Sequence, residues 1–181
     1  MLNTAHADGV TTLTLARPAR GNALGPDLVE ALLAAVQATV QAACDGGTVH
    51  TLVLRGEGRH FCTGLDLSDL DDCRDGDLLQ RLVRIETLLA TVWHAPLRTV
   101  ALAQGRTWGA GADLFAACEL RLATADASFR FPGAQFGIVL GTRRLAERVG
   151  VDTARAVTTG GHTWDAAAAR AAGLVQQVPE A

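Results

Sequence analysis

Hydrophobic and polar positions along this chain repeat with two periods, and the two periods take turns. The run "VTTLTLA" (10–16) alternates and is rich in β-branched residues, and "TVHTLVLRG" (48–56) and "RTVALAQG" (98–105) are similar runs closing on glycine, so three strands are predicted. Between the first two, Leu28, Leu32, Val36 and Val40 recur every four residues, with Pro26 near the start and Gly46 after the end, the signature of an amphipathic helix. Leu78, Leu82, Ile85, Leu89 and Val92 form a second helical stripe, closed by Pro96. Further on, the pattern predicts a helix from about Gly111 to Cys118 and a strand over "ELRLATADASFRF" (119–131). Helices near 142–149, 152–159 and 165–172 follow, then a closing strand "LVQQV" (174–178). Strand and helix alternate, which predicts an α/β fold with covered sheets and binding loops at strand ends. With no linker, repeat or low-complexity tract, one domain over residues 1–181 is expected.

Composition narrows the function. A chain that is 49% hydrophobic and 19% charged can bury a real core. Its net charge of -3 and its scattered Lys and Arg give no footprint for nucleic acid. The start, "MLNTAHADGVTTLTLARP", has no basic region followed by an apolar one, and no stretch has 18 uninterrupted apolar residues, so a cytoplasmic protein without membrane contact is expected. Cys44, Cys62, Cys73 and Cys118 show neither C-x-x-C pairing nor zinc-finger spacing, which favours buried reduced thiols and no metal.

Two places join glycine to the end of a strand: "GEGRHFCTGLDLSDL" (56–70) and "GRTWGAGADL" (105–114). Either glycine set could simply turn the chain or let a helix pack tightly. Taken together, they could present two backbone N–H groups to one oxygen, as an oxyanion hole requires. Asp113 stands beside the second turn, where it could serve as an acid or base or simply favour a helix's first turn electrostatically. His60 and Cys62 read as structural, because a Cys–His nucleophile needs both side chains within hydrogen-bond reach. Asp66 reads as a brace of its turn, and "DLSDLDDCRDGD" (66–77) as an acidic loop, either mobile over the site or solvated.

The blocks "ARPARGNALGPDLVEAL", "LVLRGEGRHFCTGLDLSDL", "VALAQGRTWGAGADLFAACELRLATADASFRFP" and "RAVTTGGHTWDAAAARAAGLVQQV", in that order, resemble the crotonase family of enoyl-CoA hydratases and isomerases from about residue 10 onward. The resemblance implies a spiral of ββα turns with helices covering the sheets, and an acyl thioester substrate. Coenzyme A then enters as part of the substrate, with no separate cofactor. It also implies an oxyanion hole formed by the N–H groups of Leu65 and Ala110, with Asp113 where the family usually has a glutamate. Thr63, Gly64, Asp66, Gly109, Gly111 and Gly133 then fall in the substrate-binding region, and Trp108 and Arg130 are candidates for the acyl pocket.

This sequence departs from the family pattern in further respects. The second carboxylate, often in a Pro-Glu pair, is replaced by Gly133 after Pro132; Gln135, Val139 and Leu140 supply no acid, and the following turn is shortened to "LGTRRL". Two carboxylates work together in hydration, so one acid points to double-bond isomerisation, decarboxylation or thioester cleavage. The alternative is a catalytically silent acyl-CoA-binding or scaffold subunit. Ser68 stands where a basic residue often meets the CoA phosphates, leaving Arg17 and Arg20 as possible sources of charge and a carrier-protein thioester as an alternative substrate. The sequence stops at Ala181, before the family's C-terminal helical segment, so a homo-oligomer, trimer-based by resemblance, is expected to cover the pocket.

Overall fold

A computed structural model of the protein describes residues 1–177. Strands β1 (Leu2–Ala7) and β2 (Val10–Leu15) form a hairpin through Asp8 and Gly9, both at positive φ. That backbone twist matches the twist of the strands it joins. The sheet continues in parallel through β3 (Thr51–Gly56), β4 (Arg98–Ala103) and, beyond a short strand β5 (Arg106–Trp108), β6 (Leu120–Ala123). Helix α1 (Pro26–Cys44) joins β2 to β3, α2 (Asp75–Trp93) joins β3 to β4, and α3 (Ala110–Ala117) lies between β5 and β6. A second sheet pairs β5 in parallel with β7 (Ser128–Arg130), which runs antiparallel to β8 (Thr163–Asp165). Helices α4 (Thr142–Val149) and α5 (Val151–Gly160) precede β8, and α6 (Ala166–Ala171) follows it.

Period and burial agree where the sequence is strongly patterned. Thr11, Leu13 and Leu15 of β2 and Leu52 and Leu54 of β3 point inward, and α1 buries Leu28, Leu32 and Val36 together with Val29 and Leu33. The α2 stripe is deepest at Ile85, Leu88, Leu89 and Val92. The expected strand over 119–131 is instead two strands in different sheets, separated by a turn in which Ala127 N–H bonds to the Thr124 carbonyl at 3.0 Å. Hydrophobic alternation continues across that turn, so the pattern alone does not reveal the break. β1 went unpredicted because its residues beyond Leu2 are exposed at a sheet edge and carry no apolar alternation. At the closing "LVQQV", the described residues make a single parallel bridge between Gln177 and Leu122, and Val178 lies outside them. Cys62 and Cys118 are buried with thiols pushed up to about 12 by burial, while Cys73 is half-buried and Cys44, the last residue of α1, is exposed, so two of the four thiols depart from the expected burial.

The short helix α3 holds the site and is secured from its C-terminal end. The buried Arg121 guanidinium donates to the carbonyls of Cys118 (2.9 Å), Glu119 (2.6 Å) and Leu174 (2.7 Å). Arg148, stacked over Trp93, donates to Ala116 and Cys118 at 3.1 Å each. Helix ends leave carbonyls without intrahelical partners, and here two arginines supply the donors. Arg121→Met strands the Glu119 and Leu174 carbonyls, leaving Cys118 to Arg148, and should lower stability by about 2 kcal/mol or more, read as a shift of the urea unfolding midpoint. A loss below about 1 kcal/mol would show that the clamp is dispensable.

Candidate active site

The site grows from two strand exits held side by side. After β3, the chain from Phe61 to Asp66 runs alongside β5: Cys62 N–H bonds to the Arg106 carbonyl and Trp108 N–H to the Cys62 carbonyl. On its other side, Leu24 N–H bonds to the Gly64 carbonyl (2.7 Å) and Asp66 N–H to the Leu24 carbonyl (3.2 Å). This leaves the Leu65 N–H between them without a backbone acceptor among the described residues. Gly64 sits at φ +97, and a Cβ there would come within 2.8 Å of the Trp108 carbonyl and 3.4 Å of the Ala110 nitrogen. Only glycine permits both this backbone angle and this approach. Gly109 N–H bonds to the Arg130 carbonyl at 2.8 Å, and α3 then begins at Ala110, whose N–H likewise has no acceptor among the described residues. Leu65 and Ala110 line the same cavity, of about 390 Å³.

Asp113, one turn into α3, faces that cavity, and its N–H closes the turn onto the Gly109 carbonyl at 3.0 Å. It is the only ionisable side chain among the residues that line the cavity. The rest of the wall is apolar: Leu67 and Leu70 from the first turn, Leu78, Leu82 and Ile85 from α2, and Phe131, Phe136, Ile138 and Leu140 from the segment after β7, relieved by Thr63, Thr142 and Thr158. In these surroundings burial pushes the Asp113 carboxyl up to about 7; the nearby Arg144 guanidinium opposes the shift and the Glu86 carboxylate adds to it. A carboxyl kept near neutrality by burial is the usual state of a general acid or base.

Of the residues singled out in the sequence, Thr63, Gly64, Leu65, Gly109, Ala110, Asp113 and Gly133 converge on the cavity. Asp66, Trp108, Gly111 and Arg130 do not line it. Asp66 braces its turn, accepting from Ser68 N–H and from Arg17, each at 3.1 Å. Arg17 also donates to the Ala23 carbonyl, so its charge is committed to structure and is not free for a CoA phosphate. Alternation along β5 turns Trp108 to the face opposite the buried Thr107, where it bonds to Ser128 and lies between Arg106 (4.6 Å) and Arg130 (6.0 Å). Gly111 packs on Cys62, where a Cβ would meet the sulfur at 2.8 Å. His60 Nδ1 accepts from Arg106 N–H at 3.1 Å, so no Cys–His pair forms with the buried Cys62. The acidic segment 66–77 is pinned by the buried Arg81, which forks onto Asp69 and donates to the Asp66 carbonyl. Its leucines therefore face the cavity, and it is not simply solvated.

Gly133 lines the cavity at the position where the family pattern often has a second acid, but a Cβ there would meet the Ile138 carbonyl at 2.7 Å. The turn therefore leaves no room for a side chain without moving. Sequence reasoning missed Glu86, Gly141 and Arg144, which surround Asp113 from α2 and from the first turn of α4; the paired arginines after the short turn were the only hint, and spacing could not place them.

The family profile for enoyl-CoA hydratase/isomerase matches residues 5–181. The chain belongs to this family. It is 37% identical over 160 residues to the probable enoyl-CoA hydratase echA6 of Mycobacterium leprae, covering 87% of this chain and 62% of that protein. It is 29% identical over 184 residues to the enoyl-CoA isomerase/hydratase fer4 of Mycosarcoma maydis, covering 97% of this chain and 67% of that protein. The chain thus spans 62% of the length of its mycobacterial relatives. Among solved structures it superposes on a Bordetella parapertussis protein of the enoyl-CoA hydratase/isomerase type with a TM-score of 0.94 at 44% identity, over 99% of this chain and 73% of that one. On the enoyl-CoA hydratase of Bacillus anthracis the TM-score is 0.91 at 26% identity, over 98% and 69% of the two chains. The crotonase fold expected from the sequence is the fold observed.

A raised carboxyl pKa carries a cost in stability. The folded state holds the Asp113 proton more tightly than the unfolded chain, whose group titrates near 3.8, so this group's contribution falls as pH rises from about 4 to about 7. Asp113→Asn should therefore be more stable than the wild type at pH 8, by up to about 4 kcal/mol, and nearly equal to it at pH 4. Parallel urea titrations at the two pH values measure the difference; a gap that does not change with pH would exclude the neutral carboxyl.

Proposed function

We propose that the protein moves a proton along an acyl thioester, shifting a double bond, with Asp113 as its single acid and base. In this reading the thioester oxygen accepts hydrogen bonds from the Leu65 and Ala110 N–H groups. The Asp113 carboxylate removes a proton from the carbon next to the carbonyl of a 3-enoyl thioester. The electrons of that C–H bond pass into an extended enolate whose charge rests at the two N–H groups, and the proton now on Asp113 is returned two carbons further along, leaving the 2-enoyl isomer. Atoms and electrons balance with no second acid. Donors aimed at a developing oxyanion are worth several kcal/mol, about 2.7–4 where one side-chain donor is removed.

The observation that carries this reading is that Asp113, the only ionisable group among the cavity-lining residues, stands in one apolar cavity with two unpaired backbone donors. Hydration asks for a second carboxylate, and the lining offers none. The apolar wall favours a plain hydrocarbon acyl chain, borne by coenzyme A or a carrier protein. The missing second acid also favours a second reading, a subunit that binds acyl-CoA without turning it over. Leu67, Leu70 and Phe136 line the cavity yet remain exposed, 67% in the case of Phe136, and apolar patches of this kind mark interfaces. A homo-oligomer is the assembly we propose, and sedimentation as a monomer at micromolar concentration would count against it.

Asp113→Asn keeps the size of the side chain and removes its proton chemistry. Isomerisation of short and medium 3-enoyl-CoA should fall by about 10²–10⁴-fold with thioester affinity little changed. In the wild type, kcat/KM should decline as pH falls through about 7, where the base form is lost. A wild type that binds thioesters without converting any, matched by an Asp113→Asn protein that behaves identically, would establish the binding subunit instead.

A further inference from the structure

The described residues donate no hydrogen bond to the Asp113 carboxyl, yet it is closely held. It rests on the start of α4, where a Cβ on Gly141 would overlap it. Gly141 has φ -92 and ψ 0, angles open to any residue, so the carboxyl and not the backbone excludes a side chain there. Within the same turn of α4, Arg144 is 12% exposed and forks onto Glu86 of α2 with bonds of 3.1 and 2.6 Å, while its Nε is buried without an acceptor.

The charges around Asp113 are few. From α2 it is acted on by Glu86 and from α4 by Arg144. Also packed on α3 are β5, whose only charged residue, Arg106, stacks on Trp108, and β7, whose Phe129 meets Phe115 and whose Arg130 likewise lies toward Trp108. Cys62, beside Gly111, stays neutral because burial pushes its thiol up to about 12. The opposite cavity wall is apolar.

We propose that Gly141, Arg144 and Glu86 are positioning residues for Asp113. Gly141 leaves the space that the carboxyl fills, and the Glu86-held guanidinium of Arg144 is the counter-charge for the carboxylate whenever its proton leaves. A free arginine beside it would favour the ionised acid, and the absence of an arginine would favour the protonated one. The Glu86 pair offsets part of the arginine's charge and leaves the acid poised between the two. The short "LGTRRL" turn and the short acid then form a matched set, since α4 begins directly on the aspartate. The inference rests on Asp113 being the acid of the proposed reaction, but the test of its charged pair does not require turnover.

The test is a carboxyl ¹³C NMR titration of aspartate-labelled protein without ligand, with the Asp113 signal assigned by its absence in Asp113→Asn. Glu86→Gln should lower the Asp113 midpoint, and Arg144→Met should raise it, each by about one pH unit, with Arg144→Lys returning it toward the wild type. Near-UV circular dichroism confirms folding of each variant. Folded Glu86→Gln and Arg144→Met proteins whose midpoints both match the wild type would overturn the proposal. Gly141→Ala should cut kcat about tenfold or more with KM nearly unchanged, because the displaced carboxyl no longer meets the substrate carbon; wild-type kcat would remove Gly141 from the set. In a protein without turnover, midpoints that shift as stated would sustain this inference and sink the isomerase reading. An active enzyme with unresponsive midpoints would do the reverse.

Discussion

The site depends on one close approach of backbone to backbone. Gly64 lies against the Trp108 carbonyl and the Ala110 nitrogen, with no room for a side chain between them. Two strand exits far apart in sequence are thereby held so that Leu65 and Ala110 open on the same cavity with unspent N–H groups. The approach is bought by ladder bonds on either side, through Leu24 to one strand exit and through Cys62 to β5. Helix α3 can then start at the cavity because its other end is tied down by Arg121 and Arg148.

The second constraint is electrostatic. Desolvation in the apolar cavity drives its lone carboxyl toward the neutral form. The protein tolerates this cost at Asp113 and moderates it with a guanidinium that is itself held by a glutamate. Burial holds this carboxyl close to neutral pH in its titration, and the crowding at Gly133 leaves no place for a second acid in this turn.

Local periodicity is a property of the chain itself, and the sequence determined what depends on it: the period-two runs of β2, β3 and β4, the stripes of α1 and α2, the alternation that makes the fold α/β, and the family blocks with Gly64, Ala110 and Asp113 in their places. Tertiary structure alone decided the rest. The break between β6 and β7 depends on which sheet each half joins, and β1 on pairing at an edge rather than on apolar residues. Trp108 and Arg130 look like pocket residues until strand alternation turns them to the outer face. Glu86 and Arg144 are 58 residues apart, and their convergence on Asp113 follows from the packing of α2 and α4 on α3, which no spacing along the chain encodes.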